Sequence, residues 1–157
     1  MLRLETWFLR VAVLYAVAGM ALGIAMAMSG DHTQMPTHAH INLIGWVSMA
    51  LYAATYRLWP ATARSALAPW HFWLANAGAL VITIGVAGIV AGHEEQFGPI
   101  AGIGSIATLL SMLIFAAIVW RRVPGLESWR EGDLLKANAV NGMPMKGVAM
   151  EAAQRSR

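Results

Sequence analysis

Two imidazoles and a carboxamide stand at the head of one apolar run of this chain. The stretch MPTHAHINLIGWVSMALYAATYRLWP, residues 35–60, carries His38, His40 and Asn42 ahead of mostly apolar positions. Neutral imidazole is the commonest biological metal ligand and an axial ligand of haem iron. On a regular α-helix, residues two apart point about 200° away from each other, so His38 and His40 cannot chelate one ion together. Asn42, Gly45, Met49, Tyr52 and Tyr56 follow His38 at helical spacing and form a small, polar face. Ile44, Val47 and Leu51 follow His40 and form an apolar face, suited to lipid, to another helix or to a porphyrin edge. His40 is thus suited to ligation by its surroundings. His38 has better polar support, and could ligate iron or bond a propionate or carbonyl. The second ligand could be His38, His93 next to Glu94, or a residue of another subunit, and Asn42 and Tyr52 are candidate hydrogen-bonding groups around the centre.

A second chemistry competes for the same region. Met26, Met28, His32, Met35, His38 and His40 form a Met/His series, and thioether sulfur suits Cu(I) while imidazole suits either copper state. Met28, His32 and Met35 would then join the site. Blander readings apply to single residues: His32 as a solvated loop residue, His93 as a solvated helix cap, and His71, beside Trp70 and Trp73, as an interfacial anchor. Asn76 reads as a hydrogen bond across helices, as polar groups in membrane helices often provide. No Ser–His–Asp constellation is in view and no catalytic residue is expected.

The elements that must position these residues follow from composition. Of 157 residues, 58% are hydrophobic and only 12% charged, and mean hydropathy is +0.56. A soluble domain carries about a quarter charged residues, so this is an integral membrane composition. The chain has no cysteine, which excludes disulfides, zinc-thiolate sites, iron–sulfur clusters and covalently attached haem. The net charge of +3 is spread over the flanks of apolar segments, so nucleic acid is not an expected partner. Apolar segments at about 7–28, 37–59, 70–92 and 99–120 each match the roughly 20 residues needed to cross a bilayer as a helix. Pro36, Pro69 and Pro99 sit near the starts of the last three, where a missing N–H costs little. The first segment exceeds the 7–15-residue apolar core of a cleaved signal and is expected to be retained.

Of the 11 Lys and Arg, nine lie before the first segment, between the second and third, or after the fourth, and Arg10 and Arg57 lie just inside the start of the first and the end of the second. The positive-inside rule then expects both termini in the cytoplasm, and Trp7, Trp59, Trp70, Trp73 and Trp120 fall at the same boundary. His32, His38, His40 and His93 fall at the outer one. The expected fold is all-α: an integral membrane four-helix bundle over residues 1–121, with a polar, partly disordered cytoplasmic tail over 122–157. That tail holds a short amphipathic piece near Leu126–Leu135 and is placed for weak contact with anionic lipid. Gly19 and Gly23, Gly88 and Gly92, and Gly98 and Gly102 form small-xxx-small pairs, which let helices approach closely or leave room for a porphyrin.

His40-Ile41-Asn42, at the outer start of an inward-running helix, resembles part of subunit I of the haem-copper oxygen and nitric-oxide reductases, where one branch begins that helix with His-Thr-Asn. His38-Ala39-His40 with Gly45-Trp46 is also similar to the NnrS family of polytopic haem- and copper-containing proteins, and Pro60 closes the segment as it often does there. The resemblance covers about residues 10–60. It implies a low-spin haem ligand near the outer surface. The later histidines of an oxidase, which hold copper and a second haem, have no counterpart here, so an oxygen-reducing centre is not expected from this chain alone. The leading expectation is a small membrane b-type haem protein, serving electron transfer or gas sensing with a respiratory-chain electron partner. Symmetric assembly would gather several outer clusters, so a homo-oligomer is expected. The alternatives are a copper-handling protein and a cofactor-free accessory subunit of a respiratory complex.

Overall fold

The computed structural model of the chain describes residues 3–124; of the tail expected over 122–157, Arg122 ends the last helix, and the amphipathic piece and everything from residue 125 on lie outside the described residues. The described chain is helical, without strands. Helix α1 spans Leu4–Ser29. Three helical segments then run in series: α2 (Met35–His40), a π-helical segment (Ile41–Ser48) and α3 (Met49–Leu58). A short α4 (Pro60–Ala63) follows, then α5 (Ala68–Val90) and α6 (Glu94–Arg122). Helices α1, α5 and α6 are each long and apolar enough to cross a membrane; at about 1.5 Å per residue each exceeds the roughly 30 Å hydrocarbon thickness.

Local sequence explains most of the boundaries. Gly30 ends α1 with φ 70°, a left-handed conformation that costs a glycine nothing. Pro36, Pro60 and Pro69 each sit in the first turn of a helix. Pro99 does not: α6 begins at Glu94, and Pro99 lies inside it. The reason is the start Glu94-Glu95, which places two carboxylates at the positive end of the helix dipole and extends it upstream. The π segment keeps right-handed dihedrals at both junctions, so α2 and α3 continue one helical path.

Helix α5 packs along α6, α1 packs against the π segment and α3, and α2 touches α5. Glycines set the close approaches. A Cβ on Gly85 would lie 2.5 Å from the Ala101 nitrogen, and one on Gly104 would lie 2.3 Å from that of Ile82. The expected pairs divide differently. Gly98 and Gly102 face open space, and Gly92, at φ 92°, serves the turn out of α5 instead of a helix contact. A core cluster joins the start of α1, α3, the first half of α5 and Ile118 near the end of α6.

Candidate functional site

Polar chemistry gathers at two levels. At the first, the loop after α1 is organised by Asp31, whose Oδ1 accepts hydrogen bonds from the Thr33 amide (2.9 Å) and hydroxyl. These bonds hold the Asp31 carboxyl below the usual carboxylate range. The Thr37 hydroxyl donates to Gln34 Oε1 (2.6 Å), and Gln34 Nε2 donates to the Ala87 carbonyl (3.4 Å), tying the start of α2 to the end of α5.

His38 points from α2 onto α1. A Cβ on Gly23 would stand 3.0 Å from its Cε1, and one on Gly19 would stand 2.7 Å from the Asn42 amide. The Gly19/Gly23 pair therefore makes a notch filled by His38 and Asn42. Asn42 Nδ2 donates to the His38 carbonyl (2.8 Å) and lies 3.3 Å from His38 Nε2, which accepts. His38 Nδ1 is buried without a partner.

His40 is placed differently. Its Nδ1 lies 2.8 Å from the Pro36 carbonyl. A carbonyl only accepts, so Nδ1 carries the proton and the neutral ring keeps its lone pair on Nε2. Nε2 is not among the buried unpartnered nitrogens and makes no hydrogen bond. Farther along the helical path Leu43, Val47 and Leu51 are exposed, whereas Ile44, expected on the His40 face, packs against the core. An imidazole whose second nitrogen is anchored on a carbonyl is oriented as metal-bound histidines are.

The other expected site residues do not converge on His40. His93 is exposed at the start of α6, with its ring 6.4 Å from Phe97. His32 Nδ1 bonds the Gly30 carbonyl at 3.1 Å on the exposed loop. Met28 is 83% exposed and Met35 49%. Among the described residues no three His, Cys, Asp or Glu side chains gather as a metal-holding group. Tyr52 lies twelve residues beyond His40, about 15–18 Å along the helix. It sits in the core at the other level, its hydroxyl donating to Met112 Sδ at 3.9 Å. Asn76 bonds within its own helix, to the Phe72 carbonyl at 2.6 Å, not across helices.

At that second level the structure reveals what the sequence reading did not. His71 is 0% exposed, not an interfacial anchor. Its Nδ1 lies 2.9 Å from the Tyr56 hydroxyl, and its Nε2 is buried without a partner. Its ring centroid is 4.5 Å from Tyr52, 5.2 Å from Phe8, 5.2 Å from Phe115 and 5.8 Å from Tyr56. These rings fill the space a porphyrin would need, so haem does not fit at His71. A signal was present: Phe8, Tyr52, Tyr56, Phe72 and Phe115 all fall in one half of their segments, at the depth of His71.

Comparison of the chain with protein-family models, curated proteins and solved structures found no match.

Proposed function

We propose that the chain is a four-span protein of the cytoplasmic membrane, with both termini in the cytoplasm. In this reading His40 from each of two copies would hold a b-type haem near the outer face, and the haem would supply one-electron transfer. The positive-inside distribution supports the orientation. The exposed Trp7, Trp70, Trp73 and Trp120 support a cytoplasmic aromatic belt. The continuous helical path of residues 35–58 supports the additional span.

The observation that carries the haem reading is the His40 Nδ1–Pro36 carbonyl hydrogen bond, with Nε2 left unengaged above an exposed apolar strip. The carbonyl holds the ring orientation and raises the basicity of the ligating nitrogen. Leu43, Val47 and Leu51 supply apolar surface that keeps water from a flat macrocycle. His38 and Asn42 brace α2 on α1, which keeps His40 on the outward side. A haem held by His40 from two copies would supply one-electron chemistry at a potential set by its ligands, burial and surrounding hydrogen bonds. A second copy of His40 is the natural second ligand, because His38 is engaged within its own chain.

The test is the visible spectrum of the purified protein, oxidised and dithionite-reduced, after haem-supplemented expression. A Soret band with sharp reduced α and β bands, one haem per two chains, is expected. His40→Ala removes the band; His93→Ala retains it. A flat spectrum sinks the haem reading. Copper in the same sample then assigns the outer face to Met28, His32 and Met35, and its absence leaves an accessory subunit.

A further inference from the structure

We infer that the groove between α1 and α3 binds an anionic phospholipid of the cytoplasmic leaflet. The inference uses the membrane orientation proposed above and is independent of the haem. The groove holds about 450 Å³, within the range of small-molecule sites. Arg3, Glu5 and Arg57 line one end, and Leu9, Ala50 and Ala54 line the rest. Because α1 and α3 run antiparallel, Leu9 and Ala50 both lie about 9–10 Å deeper than the arginines.

The chemistry along the groove changes with depth as a lipid's does. Two exposed guanidiniums against one carboxylate leave the mouth net positive. Guanidinium presents paired donors that match phosphate oxygens. The Thr6 hydroxyl lines the same groove and is a further donor to a phosphate ester. Deeper in, alanines in place of bulky side chains leave a channel along the helices, and Leu9, 53% exposed, gives it an apolar wall for an acyl chain. A headgroup without its own ammonium matches a net positive mouth, which favours a phosphatidylglycerol-like lipid over a zwitterionic one. A second copy fits less well. A twofold axis along the membrane normal would set Arg3 and Arg57 against the same arginines.

The experiment is native mass spectrometry of the full chain, delipidated in detergent, with phosphatidylglycerol or phosphatidylcholine of identical acyl chains. Preferential retention of phosphatidylglycerol is expected. Arg3→Gln and Arg57→Gln should each lower that preference about fivefold, and the double variant should abolish it. Ala54→Phe, with the charges intact, should weaken retention of both lipids. Arg121→Gln, on α6 and outside the groove, should leave the preference unchanged. An undiminished preference in the Arg3/Arg57 double variant overturns the site, as does an equal loss in Arg121→Gln. A loss of dimer without loss of lipid in Ala54→Phe assigns the groove to a second copy and also overturns it. Labelling of Ser65→Cys by an impermeant maleimide from outside the cell would overturn the orientation separately, since lipid selectivity in detergent does not depend on it.

Discussion

His71 is a polar ring closed off by four aromatic neighbours, and its stability role can be separated from any chemistry. Tyr56→Phe removes its hydrogen-bond partner and leaves both ring nitrogens unpaired in the core. The expected cost is about 1–3 kcal/mol. Adding His71→Phe removes the stranded polar groups, so the double variant should be more stable than Tyr56→Phe alone. Thermal unfolding in detergent measures both, and a double variant less stable than the single one would mean that His71 makes an interaction beyond Tyr56. In the loop after α1, Asp31 offers a pH test. Its folded carboxyl is held low by Thr33, so its stabilisation is present above the unfolded value and is lost as pH falls through the folded one. Asp31→Asn should flatten the acid limb of the stability–pH curve, and an unchanged limb would remove Asp31 from that role. The identities of His38, His40 and Asn42 were legible as candidates from spacing alone. Which ring nitrogen is free was not, because that depends on where Pro36, Asn42 and Gly23 end up.

Among the elements, glycines decide which helices touch. Gly104→Ala drives a Cβ into the Ile82 backbone and Gly85→Ala into the Ala101 backbone. Backbone cannot rotate away, so each should cost about 1–3 kcal/mol by forcing α5 and α6 apart. Gly98→Ala and Gly102→Ala meet nothing and should leave stability unchanged or raise it by up to about 1 kcal/mol, the helix-propensity gain over glycine. Unfolding of the four variants in one detergent checks the division, and equal losses in all four would place Gly98 and Gly102 in an interface between copies. Spacing singled out the Gly98/Gly102 pair and passed over Gly85 and Gly104, neither of which has a glycine four positions away; the distinction depends on which face of α6 meets α5. The π segment was likewise not legible, because its extra residue per turn leaves no mark in an apolar pattern. It nevertheless keeps Gly45 against Tyr15 of α1, where a Cβ would fall 2.3 Å from the ring.

For the whole molecule, the absence of cysteine makes topology directly measurable. A cysteine introduced at Asp31 should react with an impermeant reagent from outside intact cells, and one at Ser65 should not; the reverse result inverts the molecule and moves His40 to the cytoplasmic face. Haem content against oligomer size then tests the shared site, with one haem expected for each pair of chains. Much of this level can be read from the chain alone. Apolar runs long enough to cross a bilayer force helices, because lipid offers backbone groups no other partner, and the three long apolar helices follow directly. Charge asymmetry along the chain likewise suggests an orientation without any coordinates. Packing then sorts residues of equal chemical promise. His38 and His40 stand two positions apart, yet one is wedged into a glycine notch and the other turned outward with a free nitrogen. Tyr52 shares a helical face with His38 but belongs to the ring cluster around His71. These assignments come from contacts between segments distant in sequence, such as Gly23 with His38, and Phe8 and Phe115 with His71. A linear pattern records which face a residue occupies and not what lies opposite that face.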